Sequence, residues 1–140
     1  MASFLQPLLA RDAGPAVLHV RGRADAPVAA TVETAFDSAS RTRGLLGRPS
    51  LAPGHALVIA PCSAIHTFKM QFPIDVIFAA QDGRIVKIRR RMPAGRVTAA
   101  IGAFATIEMA AGEAERHGLT AGDYLEVTAP APSPRAPAPR

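Results

Sequence analysis

Tryptophan is absent from this chain of 140 residues, and cysteine occurs once, at Cys62. A lone thiol excludes an internal disulfide, so nothing covalent staples the fold, and such usage fits a reducing compartment. Cys-x-x-Cys is likewise excluded and His-Glu-x-x-His does not occur. The residues able to ligate a metal, Cys62, His66, Asp75, Glu108 and His117, stand in no recognised ligand spacing. No metal and no cofactor is therefore expected. Lysine is nearly missing, with only Lys69 and Lys87. The net charge of +5 and the isoelectric point near 10.6 thus come almost wholly from arginine. Alongside abundant alanine and proline they read as a compositional bias, which needs no anionic partner to explain it. Apolar runs are too short and too broken for a membrane span, and no basic segment precedes Leu8-Leu9 in the manner of an export signal. A cytoplasmic protein with no membrane association is the expectation.

Hydrophobic residues make up 49% of the chain, a share inflated by alanine. The Leu, Ile, Val, Phe and Met that remain suffice for one core of ordinary domain size. Residues 1–15, broken by Pro7, Gly14 and Pro15, read as a flexible arm. Residues 16–128 read as a single β-rich domain, and 129–140 as a disordered Pro/Ala tail that favours extended conformations. Within the domain, Val17 to Val20 and the alternating run Ala29 to Thr34 suit strands. Asp37 or Ser38 can cap a short helix through Ala39 to Leu46, closed by Gly47. His55 to Ala60 is the nearly continuous apolar run of a strand buried on both faces. Ile74 to Ala80 and Arg84 to Arg90 flank Asp82-Gly83, a strong hairpin signal. Ala103 to Ala110 alternates again, Gly112 to His117 suits a turn of helix, and Tyr124 to Thr128 a last strand. Neither an internal repeat, a βαβ alternation nor a phosphate-binding glycine loop is visible. The pattern predicts a mainly β fold, an antiparallel β sandwich or barrel-like domain with one or two short helices.

The chemistry concentrates between Pro61 and Asp75. If residues 66–72 are a strand, His66 shares a face with Phe68, Met70 and Phe72, so its first reading is a buried, hydrogen-bonded histidine and its second a pocket histidine. Cys62 and His66 could pair as thiolate and imidazolium, but an extended chain would hold them too far apart to share a proton, which leaves Cys62 as a small packed hydrophobe. Asp75 lies between Pro73-Ile74 and Val76-Ile77-Phe78 and must find a donor if it is buried. Arg43 and Arg48 are the natural guanidinium partners. Glu108, between Ile107 and Met109, raises the same question. These charges either pair off separately as structural ion pairs or converge with His66 on a polar pocket. The basic run Arg84, Lys87, Arg89, Arg90, Arg91 and Arg96 reads as the charged face of an edge strand before it reads as a phosphate-binding stripe, since it carries no stacking aromatics.

Four motifs in order resemble one prokaryotic family. They are Arg43-Gly44-Leu45-Leu46-Gly47-Arg48, Ile65-His66-Thr67-Phe68-Lys69-Met70, Phe72-Pro73-Ile74-Asp75, and Ile107-Glu108-Met109-Ala110-Ala111-Gly112 with Gly118 and Gly122-Asp123. From about Val32 to Val127 the chain is similar to the domain of unknown function 192 family. The resemblance implies a compact, mostly β fold and supplies no reaction. It places Asp75 on the family's Pro-Leu/Ile-Asp pattern and His66 where relatives carry Trp.

The function expected is a non-catalytic domain that binds a small ligand or a partner protein at a polar pocket near Asp75, with Arg43, Arg48, His66, Asp75 and Glu108 as ligand-binding candidates. Two alternatives stay open. One is an enzyme with an acid–base or thiol site at His66, Asp75 and Cys62, and the other is weak nucleic-acid binding through residues 84–96.

Overall fold

The computed structural model describes residues 3–9, 15–23 and 27–129. In chain order the strands are β1 (Val17–Val20), β2 (Thr31–Ala35), β3 (His55–Ile59), β4 (Ala64–His66), β5 (Ile74–Ala79), β6 (Ile85–Met92), β7 (Val97–Ala99), β8 (Ala105–Ala110) and β9 (Leu125–Thr128). Two short helices, α1 (Ser38–Arg43) and α2 (Glu113–Arg116), and a 3-10 turn at Gln6–Leu8 complete the described elements. No helix among the described residues is long and apolar enough to cross a membrane.

A five-stranded sheet, ordered β2-β3-β8-β5-β6, carries the core, and two-stranded sheets β1-β9 and β4-β7 flank it. The fold is mainly β with two short helices, and the sheets do not close into a barrel. The central strands β3, β5 and β8 are apolar along almost their whole length because both of their faces are covered. On one face, Val58, Ile77, Ile107 and Met109 pack against Leu18, Val20, Leu125 and Val127 of β1 and β9. On the other, Leu57, Ile59, Val76 and Phe78 meet Leu45 and Leu51, with Ile65, Met70 and Ala100 at the margin.

Local chemistry sets the connections. Asp37 caps α1 by accepting the Ser40 N–H at 2.7 Å, which satisfies one of the donors a helix start leaves free. The helix stops at Gly44, with φ +48°, one turn short of the reach to Leu46 read from sequence. The hairpin at Asp82-Gly83 joins β5 to β6 as the sequence predicts. Gly83 adopts φ +94°, and a Cβ there would collide with the Leu125 carbonyl oxygen. Only glycine fits both demands.

Three expectations need correction. β2 and β3 pair in parallel, and α1 lies on the connection between them, so a βαβ unit does exist in this otherwise antiparallel sheet. It escapes the sequence pattern because α1 has no apolar stripe and buries none of its own residues. The strand over 66–72 does not form either. β4 ends at His66 and the chain turns at Phe68-Lys69, where Lys69 takes φ +64°. Residues 3–9, read as part of a flexible arm, dock on the domain: the Phe4 N–H donates to the Gln81 carbonyl at 2.9 Å and Leu5 is 1% exposed within the β1-β9 core. Residues 10–14 of that arm and 130–140 of the Pro/Ala tail lie outside the described residues.

Leu5 tests the docking directly. Leu5→Ala should cost about 2–5 kcal/mol in urea unfolding, as buried leucine truncations do, whereas a segment in solvent would show almost no change.

Candidate functional site

The sheet separates two buried carboxylates by strand parity. β5 and β8 pair so that Asp75 stands opposite Met109 and Val76 opposite Glu108. Directly opposed residues share a face, so Asp75 and Glu108 point to opposite sides of the sheet. Their fates differ accordingly.

Asp75 is fully buried. Its Oδ1 accepts the Arg91 N–H at 2.8 Å, and its Oδ2 accepts the N–H groups of Gly112 at 3.1 Å and Ala114 at 2.8 Å. These donors are free for physical reasons. The register shift between Ile74 and Val76 sets two β6 residues, Arg90 and Arg91, against Asp75, and a bulge of that kind leaves a backbone group unpaired. Gly112 and Ala114 belong to the start of α2, where N–H groups have no partner within the helix. Asp75 therefore ties β5 to the β6 bulge and to α2. The expected guanidinium clamp with Arg43 or Arg48 is absent among the described residues.

Arg48 instead forms a two-pronged pair with Glu33, at 2.8 and 3.0 Å. That hydrogen bonding holds the Glu33 carboxyl below the usual carboxylate range. Arg48 is thereby committed to Glu33 and only acts at a distance on Glu108, which its charge favours in the ionised form.

Glu108 lies at the floor of a cleft of about 540 Å³, within the range of small-molecule sites. α1 and the turn after it supply Arg41, Arg43, Leu45 and Leu46; β3 ends in it at Ile59; the segment through β4 adds Cys62, Ile65 and His66, with Met70 beyond. Glu108 is 5% exposed, and its Oε2 has no hydrogen-bond partner among the described residues. Burial pushes its carboxyl up to about 7, against the smaller opposing pull of Arg48. A buried polar atom without a partner is rare enough to demand a reason.

The sequence candidates thus divide. Arg43, Cys62, His66 and Glu108 line the cleft, while Asp75 and Arg48 do not. His66 is exposed, not buried, because the chain turns where a strand was expected. Its ring stacks on Phe68 with centroids 4.9 Å apart, and its Nδ1 accepts the Phe68 N–H at 3.3 Å. Cys62 is partly buried and its Sγ donates to the Ala64 carbonyl at 3.3 Å. Arg43 is exposed and makes no ion pair among the described residues. Sequence reasoning missed Arg41, which donates to the Pro61 carbonyl at 3.0 Å and so ties α1 to the far wall. Its place one turn beyond the Asp37 cap was the available signal. His117 contacts Glu113 at 3.3 Å, and among the described residues no three of His, Cys, Asp and Glu gather as metal ligands. The basic run follows β6, an edge strand. Lys87 donates to the Ala99 carbonyl, Arg90 to the Leu119 carbonyl, and Arg91 pairs with Glu115 at 3.7 Å.

Fold and cleft together define a small mixed-sheet β domain with one parallel crossover and a carboxyl-floored cavity beside it. The chain belongs to the domain of unknown function 192 family, described as an uncharacterized ACR, whose model matches residues 19–127. No curated protein matches the sequence. Two crystal structures are similar to it. A protein of unknown function from Novosphingobium aromaticivorans DSM 12444 has a TM-score of 0.69 at 25% identity, covering 80% of this chain and 83% of that one. A putative transcription regulator from Sinorhizobium meliloti 1021 has the same TM-score and identity, covering 80% of this chain and 91% of that one.

Two measurements follow from the two carboxylates. Asp75→Ala strands three backbone donors and should cost about 3 kcal/mol or more in urea unfolding, with α2 amides losing hydrogen-exchange protection first. Glu108 works in the opposite sense. Its folded value of about 7 lies above the ordinary 4.5, so the native state holds a proton that the unfolded chain releases. Its contribution is intact below 4.5 and is lost as pH rises through about 7, a fall of at most about 3 kcal/mol. Glu108→Gln should flatten that part of the stability profile and leave the fold unchanged by circular dichroism.

Proposed function

We propose that this domain binds a small molecule in the cleft between α1 and β4, with Glu108 as its principal polar anchor. The observation that carries the reading is Glu108, which lines the cavity while its Oε2, sealed from water, has no hydrogen-bond partner among the described residues. Leaving such an atom unmatched costs about 1–3 kcal/mol, and a ligand donor that reaches this carboxyl by rotation of the side chain would recover part of it. The lining mixes apolar side chains, Leu45, Ile59 and Ile65 among them, with the polar Ser38, Thr42, Ser63 and His66, so the cleft suits a polar ligand with a short apolar part. Asp75, the centre of the pocket expected from sequence, takes a supporting part by tying β5 to the β6 bulge and to α2.

A carboxyl that titrates near neutrality also meets the requirement for an acid–base catalyst. Turnover of a bound compound would make this an enzyme, and the search for the compound is the same. Transcriptional regulation, the description carried by the Sinorhizobium structure, would call for a basic face free to meet DNA phosphates. Lys87, Arg90 and Arg91 of the basic run have partners within the domain while the side chains of Arg84 and Arg89 have none among the described residues, and with no stacking aromatic in the run that reading is not advanced.

Because Cys62 is the only cysteine and lines the cleft, its alkylation by iodoacetamide reports occupancy without added labels. Pools of small metabolites should include at least one that slows Cys62 alkylation and raises the melting temperature together. If no pool does either at saturating concentration, while the urea-unfolded chain alkylates fully, the cleft is not a binding site.

A further inference from the structure

The cleft is lined by charges of both signs, and that narrows the ligand class. One is the carboxyl of Glu108, 5% exposed, whose Oε2 has no donor among the described residues. The others are Arg41 and Arg43, the basic residues of the last turn of α1. Arg41 is held by backbone carbonyls of Asp37 and Pro61, while the Arg43 guanidinium has no hydrogen-bond partner among the described residues. The same lining includes Ile59, Leu45, Ile65 and Met70 beside the polar Ser38, Thr42 and Ser63. Resting on the proposal that the cleft binds a small molecule, we infer that its ligand is a compact amino acid-like zwitterion, with an ammonium group against Glu108, a short apolar body, and a carboxylate against Arg43.

Each part is fixed by exclusion as well as by fit. Arg48, the cation placed to act on Glu108, is spent on its two bonds to Glu33. A ligand ammonium supplies both the missing donor and the missing charge, and a charge-assisted hydrogen bond out of water is stronger than a neutral one. A simple amine would meet Arg41 and Arg43 at the entrance with nothing to pair them. A dicarboxylate would pair with Arg43 but bring a second acid to the floor, where two carboxyls cannot both ionise. The apolar members of the lining suit methylenes, which gain by leaving water.

The charge placement has a pH signature. Binding the ammonium ionises Glu108, so affinity rises with pH through the carboxyl's own titration and then levels. The other charged or titratable groups facing this region are Arg48 and Glu33 with His55 on the β2-β3 side, Arg41 and Arg43 from α1, and Cys62 and His66 from the β4 segment. A His66→Gln variant separates the imidazole that lines the cleft from Glu108 as the source of the rise.

Calorimetric titration of the full chain tests the inference with a ladder of probes: glycine, β-alanine, γ-aminobutyrate, δ-aminovalerate and ε-aminocaproate, each beside the alkylamine and the alkanoate of matched length. One member of the ladder should bind about 10-fold or more tighter than either of its one-ended controls. Glu108→Gln and Arg43→Gln should each lose about 10-fold for that member. The pH rise should vanish in Glu108→Gln and persist in His66→Gln, with native circular dichroism in all variants. Equal binding by the matched alkanoate, or an unchanged affinity in Glu108→Gln, overturns the inference. If the ladder fails while another compound protects Cys62 from alkylation, the ligand class is wrong and the cleft remains a binding site. If nothing protects Cys62, both fall.

Discussion

The pairing register of β5 with β8 governs this domain. It sets Asp75 against Met109 and Val76 against Glu108, and since side chains alternate across a sheet, a slip of one residue would exchange the faces of every side chain on the strand. In the observed register one carboxylate turns toward backbone donors released by the β6 bulge and the start of α2. The other turns toward a side where no donor waits. The first is buried and satisfied and holds the structure together. The second is buried and unsatisfied, which is the kind of cost a fold carries where a ligand is expected to meet it.

The cleft exists because the two faces of the central sheet are covered unequally. β1 and β9 lay a continuous antiparallel ribbon on one face, and Leu5 seals its edge. The other face is covered by pieces. α1 buries none of its own residues, so Leu45 and Leu51 from the loop beyond it supply the apolar contact, while β4 and β7 form only a three-pair ladder. Between these pieces remains an opening that reaches Glu108. A longer amphipathic helix on the β2-β3 crossover would close it. The crossover that makes the sheet mixed and the cavity that makes it a candidate binder therefore have one cause.

Much of the fold was open to reading from sequence where a signal is local. Asp82-Gly83 announced its hairpin, Asp37 its helix cap, and the apolar run at His55 a strand covered on both faces. What was hidden depends on partners. The parallel β2-β3 pairing carries no residue signature when its crossover helix lacks an apolar stripe. The alternation from His66 to Phe72 imitates a strand, yet Lys69 adopts a left-handed conformation that no lysine advertises. The partners of Asp75 could not be named because they are backbone N–H groups, which every residue except proline provides. Glu108 was visible as a charge on an apolar strand, and the match to the domain of unknown function 192 family spans it and Asp75 alike. That its carboxyl would be left without a donor was not visible, because it follows from Arg48 choosing Glu33.

The state of the Glu108 carboxyl is the point on which the reading of the cleft turns, and it can be observed without any ligand. Carbon-detected NMR of the side-chain carboxyls across a pH titration should show Glu108 changing protonation at about 7. A midpoint at the ordinary 4.5 would mean that water or a cation already satisfies the group, and would remove the physical reason for placing a ligand there.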